Sequence, residues 1–161
     1  MITAPEGVEG DFNIRIVGNY YNIEEVPEEY RQYVEEIVEI KGISTYTFNY
    51  AKVIKGNYND TLYVYMNNID DTLRFEIRIY PQEIQRVRET YPGYTFEKEF
   101  EDEGICFDVF SKKEVSGVNT YIMYFYYGKE KYIVVGRMTE DTIRDIVIDY
   151  KNIVLNYQEK K

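Results

Sequence analysis

Apolar and polar residues along this chain alternate in two registers, one of period three to four and one of period two. From Thr139 onward the helical period holds, with Ile143, Ile146, Val147, Tyr150, Ile153, Val154 and Tyr157 on one stripe. Thr139 offers a capping oxygen, and Glu140 and Asp141 place negative charge in the electropositive first turn. This predicts a helix over 140–157. It is rich in β-branched residues, which favour helix poorly, so packing against a sheet must hold it. Ile148 and Leu155 fall off the stripe and imply a second contact. An earlier stripe, Tyr30, Tyr33, Val34, Ile37 and Ile40, follows Pro27, whose missing N–H costs nothing in a first turn. Glu35, Glu36 and Glu39 face outward, and Gly42 fits a left-handed stop, predicting a helix over 27–41. Pro81 opens a third helix over 82–91 through Ile84, Val87, Arg88 and Tyr91, which Pro92-Gly93 ends.

Between these, the pattern switches to period two. Leu73-Arg74-Phe75-Glu76-Ile77-Arg78-Ile79 is the cleanest alternation, with a buried apolar face and a wet Arg/Glu face. Strand-like runs also cover 12–17, 45–53, 62–66, 94–100, 105–110, 121–127 and 132–135, separated by Gly-, Asn- and Asp-rich turns. The expected fold class is α+β: a single, largely antiparallel sheet of six to seven strands packed with three helices. Residues 60–91 lie over 119–150 without a gap, pairing Thr61 with Thr120, Tyr65 with Tyr124, Arg78 with Arg137, Ile84 with Ile143 and Tyr91 with Tyr150. That suggests an internal βββα repeat. A Gly- and Glu-rich lead over 1–11 reads as a flexible linker, and 12–158 as one domain.

Composition narrows the function. A chain of 161 residues that is 44% hydrophobic and 17% aromatic can bury a core. A net charge of −10 argues against nucleic acid, which demands a basic stripe to release counterions, and against anionic membrane surfaces. No apolar run approaches the ~20 residues that span a bilayer, so no membrane insertion is expected within this chain. The chain has no histidine, which removes His general bases, His zinc ligands and Ser-His or Cys-His pairs. Cys106, the one cysteine, lies in apolar Ile105-Cys106-Phe107 with no adjacent base, as a small buried hydrophobe would.

Candidate chemistry is sparse. Glu24-Glu25, Glu28-Glu29, Asp70-Asp71 and Glu101-Asp102-Glu103 offer oxygens to Ca²⁺, but none has EF-hand spacing, and solvated turns explain them. P-loop, dinucleotide-binding and nucleophile-elbow motifs are missing, so no catalytic residue, cofactor or metal ligand is assigned. Asn59-Asp60-Thr61 matches a glycosylation sequon, a short pattern of little weight. The tyrosine ladder Tyr121, Tyr124, Tyr126, Tyr127 and Tyr132 is the best candidate surface, with Tyr124, Tyr126 and Tyr127 as its binding residues. Both faces of 121–127 are apolar, however, which favours a central strand covered on both sides.

The closing run Tyr124-Phe125-Tyr126-Tyr127-Gly128-Lys129-Glu130-Lys131-Tyr132-Ile133-Val134-Val135-Gly136, followed by the Thr139 helix, resembles the end of PsbP/Mog1-like domains. It is similar also to modules in bacterial lipoproteins and anti-sigma-factor tails. The resemblance implies an α/β/α-like sandwich and a binding or assembly role rather than catalysis. The expectation is therefore a non-catalytic binding or accessory module acting on a protein partner or small ligand. Two alternatives stay open: a small enzyme using paired carboxylates and tyrosines, for instance on carbohydrate, and a self-associating structural protein forming homo-oligomers. The chain is either cytosolic or the extracytoplasmic part of an anchored protein whose export signal has been removed, and the linker-like lead favours the second.

Overall fold

Residues 15–159 are described here by a computed structural model, and within them eight strands join into one antiparallel sheet. The strands are β1 (Arg15–Tyr20), β2 (Thr47–Lys55), β3 (Asp60–Asn67), β4 (Thr72–Ile79), β5 (Thr95–Asp102), β6 (Ile105–Lys112), β7 (Thr120–Tyr127) and β8 (Glu130–Arg137). Their spatial order is β1-β2-β3-β4-β8-β7-β6-β5. Two α-helices accompany them, α1 (Glu28–Val38) and α2 (Glu140–Glu159).

Local chemistry explains the hairpins. Glu103 and Gly104 both have positive φ between β5 and β6, the backbone a two-residue type I′ turn needs. Gly128 at φ 60° opens the β7–β8 turn, as glycine does in a type II′ turn. The β2–β3–β4 and β6–β7–β8 meanders meet where β4 pairs with β8, with Phe75 opposite Val134.

Both helices lie on one face. Val34 and Ile37 of α1, with Ile146, Val147, Tyr150 and Val154 of α2, pack on Leu62, Val64, Phe75, Phe125 and Val134. Tyr150 is the keystone, edge-on to Phe75 at 5.5 Å and to Tyr132 at 5.4 Å. The first turn of α2 is capped by Thr139, whose Oγ1 accepts from the Thr142 amide at 3.3 Å. Lys151 is fully buried, and its Nζ donates to Asp102 Oδ2 at 2.6 Å and Glu103 Oε1 at 3.2 Å, tying α2 to the β5–β6 turn. Tyr30 and Tyr33 pin α1 through Asp60 Oδ2 at 2.7 Å and Glu130 Oε1 at 3.0 Å.

The expected fold class needs correcting. The sheet has eight strands, not six to seven, because the weakly alternating first run and the charged 94–100 run both become strands, one at each edge. There are two α-helices among the described residues, not three. Residues 81–94 form an extended strap across the helix-free face instead of a helix over 82–91. The face beneath carries Asp108 and Lys131, both without solvent exposure, and the strap answers them with Arg86 and Glu89. Val87, a core position of the expected helix, is 58% exposed. Without a helix after β4, the βββα repeat does not hold: only the second meander leads into one.

The earlier helix is shorter than 27–41. It ends at Val38, and Lys41–Ile43 forms a separate 3₁₀ turn. Gly42 has no positive φ; a Cβ there would stand 2.9 Å from Ile146 Cγ1, so close approach of α2 selects the glycine. The α/β/α layering implied by the resemblance is also absent, since both helices share a face. Residues 1–11 and the start of the 12–17 run lie outside the described residues. Among the described residues, no helix is long and apolar enough to cross a membrane.

Candidate functional site

Strand alternation sends Tyr121, Met123, Phe125 and Tyr127 of β7 toward the helices and Ile122, Tyr124 and Tyr126 toward the strap. The three ladder tyrosines expected to bind thus do not form one surface. Tyr127 is half-buried on the helix side, Tyr124 is buried beneath the strap, and Tyr126 is half-buried at its margin. Tyr121 packs on the helix-side core, and Tyr132 is buried within it.

The covered half of the strap-side face is a small apolar cluster, Phe110, Ile122, Tyr124 and Ile133, with the buried charges Asp108 and Lys131 set into it. Lys131 points its ammonium 3.9 Å from the Tyr124 ring centroid, 5.2 Å from that of Tyr126 and 5.9 Å from that of Tyr91. It donates closely to Glu89 Oε1 and, at 3.3 Å, to the Tyr91 hydroxyl. The result is an aromatic cage around an internal cation. Burial draws the Lys131 pKa down, and Glu89 offsets this only in part. Burial alone would raise the Glu89 carboxyl, yet Lys131 and Arg78 outweigh it and hold the group below the ordinary carboxylate value. Tyr126 is pushed up to about 12, mainly by burial. Tyrosine hydroxyls also satisfy the strap backbone: Tyr126 donates to the Val87 carbonyl at 2.9 Å, and the Glu89 amide donates to Tyr124 at 3.2 Å.

Arg86 makes a close ion pair with Asp108, and Arg88 lies at 3.9 Å from the same carboxylate. Both arginines also hold Glu99, at 2.8 and 2.9 Å, and draw its carboxyl below the usual value. Beside them an open groove of ≈ 390 Å³ is lined by Ile84, Arg86, Cys106, Tyr126 and Gly128. The Cys106 thiol is raised by burial, the wrong direction for a nucleophile.

The other half of this face, over β2–β4, is half-buried: Tyr50, Tyr63, Tyr65 and Arg74 are each of intermediate exposure. Tyr50 and Tyr65 are cross-strand partners stacked at 4.5 Å between ring centroids, with Tyr63 at 6.3 Å and the 64% exposed Tyr21 at 5.7 Å. Lys52 Nζ stands 6.0 Å from the Tyr63 centroid. Arg74, paired in register with Tyr65 and Val135, buries an Nε that has no acceptor. Neither Lys52 nor Arg74 forms an ion pair with any described residue. Burial raises the phenols of Tyr63, Tyr65 and Tyr94, and Arg74 opposes that rise in all three.

Sequence reasoning did not single out Tyr50, Tyr63 and Tyr65, although a signal was present. In 50–54 and 61–66, Ala51, Val53, Leu62, Val64 and Met66 mark the core face, so the intervening tyrosines and Lys52 must share the opposite one. Among the acidic pairs, Asp71 is held by Arg137 and Asp102 by Lys151. No group of three or more Asp, Glu or Cys side chains converges as a metal site among the described residues.

No protein-family model matches the chain, nor does any curated protein or solved structure.

Proposed function

We propose that the protein is a non-catalytic binding module that recognises a protein partner through the open half of its strap-side sheet face. One observation carries this reading: half the face is sealed by the chain's own strap, while the other half carries stacked, half-buried tyrosines beside Lys52 and Arg74, which pair with no carboxylate among the described residues. Tyrosine supplies contact area and a polar hydroxyl at low cost in conformational entropy, and is enriched among interface residues that dominate affinity. Neither of the two carboxylates with lowered values is suited to act as a general acid. Glu89 and Glu99 are held below their ordinary values, whereas a general acid needs its carboxyl raised.

The test is a purified pair. A partner isolated from native extract should bind the wild type at least about tenfold more tightly than Tyr63→Ser/Tyr65→Ser, with the variant's melting curve still cooperative. An unchanged Kd would remove this face from the reading, and turnover of any substrate by the chain would remove the non-catalytic assignment.

A further inference from the structure

We infer that residues 81–94 are a lid, a strap that lifts off the sheet while the sheet stays folded and uncovers the face of β6, β7 and β8 beneath it. Its opening does not depend on the β2–β4 face taking a partner.

The hold on the strap differs in kind from the hold on every strand. Each strand is laddered to its neighbours by backbone hydrogen bonds. Among the described residues, no backbone group of 81–90 bonds to the backbone of the sheet. Side chains tie the strap instead: Arg86 to Asp108 and Glu99, Arg88 to Glu99, and Glu89 to Lys131 and Arg78, with the Tyr124 and Tyr126 hydroxyls on its backbone. Its apolar contribution is small. Tyr91 packs edge-on to Phe110 at 5.1 Å, but Val87 is 58% exposed and Ile84 only half-buried. Long connections without helix or strand are uncommon in a compact domain, and functional lids are among their chief uses.

Ion pairs make a latch that is hard to cut and easy to release. Truncating one partner leaves the other charge buried and alone. Lifting the strap leaves neither, because Arg86, Asp108, Glu89 and Lys131 return to water together and recover the hydration that burial removed. The latch is also incomplete: Asp108, with no solvent exposure, has its Oδ2 unpartnered. Both ends are fixed. The Tyr80 amide donates to the Lys129 carbonyl at 2.9 Å, and the Tyr94 amide to the Tyr91 carbonyl at 3.0 Å across Pro92-Gly93. Gly93 has φ 84°, and nothing beyond its chain neighbours lies within 4 Å of where its Cβ would stand, so this turn has room to pivot. The surface beneath is amphipathic: Phe110, Ile122, Ile133, Tyr124, Asp108 and Lys131 are each at most 3% exposed. Val135 at its margin is the register partner of Arg74, so opening joins this surface to the tyrosine face over β2–β4.

Lys131 is the reporter, since its ammonium is unexposed while the strap is closed. The wild-type chain is acylated with N-hydroxysulfosuccinimidyl acetate, and peptide mapping follows Lys131 against Lys129, which is exposed in the same hairpin. A lid predicts labelling of Lys131 at least about tenfold slower than Lys129, at a rate almost flat in urea until the dichroism transition begins. A rate that climbs from the lowest urea with the full steepness of global unfolding means that Lys131 is reached only when the sheet unfolds, and overturns the lid. Equal rates at the two lysines mean that the strap is not closed, and overturn it too. Arg86→Gln/Arg88→Gln cuts the latch at Asp108 without altering Lys131 or Glu89. It should speed Lys131 labelling at least about tenfold, leave Lys129 unchanged and keep the wild-type dichroism spectrum. An unchanged Lys131 rate in that variant overturns the latch; should the variant fail to fold, the wild-type urea series decides by itself.

Discussion

Lys131 shows how a single residue constrains this molecule. An ammonium with no solvent exposure is tolerable only beside a counterion and electron-rich rings, and Glu89 with Tyr91, Tyr124 and Tyr126 supplies them. Removing the counterion leaves the charge buried and unpaired. Glu89→Gln should therefore cost about 3 kcal/mol in urea denaturation, and Glu89→Gln/Lys131→Met should recover most of that. Recovery of nothing by the double variant would show that shape, not charge, matters there. The same pair predicts an acid sensitivity. Glu89 has its folded-state carboxyl depressed, so its contribution is fully present above the unfolded value of about 4.3 and is lost as pH falls through the folded one. Melting temperatures taken from pH 7 downward should fall less steeply below about pH 4.3 in Glu89→Gln than in the wild type. Parallel slopes would rule the linkage out.

At the scale of elements, the strap and α2 were legible to very different degrees. The α2 stripe was readable because Ile143, Ile146, Val147, Tyr150 and Val154 repeat within the helix itself and need only some apolar surface to meet. The strap was not. Ile84, Val87 and Tyr91 follow the same spacing, but the deciding partners, Asp108, Tyr124, Tyr126 and Lys131, lie on strands that come later in the chain. Local periodicity cannot report a charge that the fold will bring beneath it. The open-face tyrosines were hidden differently: their strands were legible, but only the register across β2, β3 and β4 reveals that Tyr50, Tyr63, Tyr65, Lys52 and Arg74 are neighbours. Tyr126→Phe, which strips the hydroxyl from the Val87 carbonyl, should cost about 1 kcal/mol and speed amide exchange within 84–91 while leaving α2 protected. Unchanged exchange would mean the strap is held by its ion pairs alone. Gly42 carries a comparable test for α2. A methyl there meets Ile146 Cγ1 near its branch point rather than at a free end, so Gly42→Ala should destabilise by roughly 1–3 kcal/mol through overpacking.

The whole molecule is joined at one seam. β4 and β8 come from opposite meanders, and every contact that makes eight strands one sheet passes through their pairing. Phe75 sits at that seam, fully buried, opposite Val134 and edge-on to Tyr150, so it touches the first meander, the second and α2 together. The two outer edges are finished differently: β5 carries Glu97, Lys98, Glu99, Glu101 and Asp102, while β1 is interrupted by a bulge between Ile16 and Gly18. Neither edge compensates for a weakened centre. If the halves depend on one another through the seam, Phe75→Ala should cost about 3–5 kcal/mol and still unfold in one step, with far-ultraviolet dichroism and tyrosine fluorescence changing at the same urea concentration. Fluorescence that moves at a lower urea concentration than dichroism would instead show one meander surviving without the other. The proposed binding face would then belong to the β2–β4 half as an independent unit, and the sealed half would be dispensable to it.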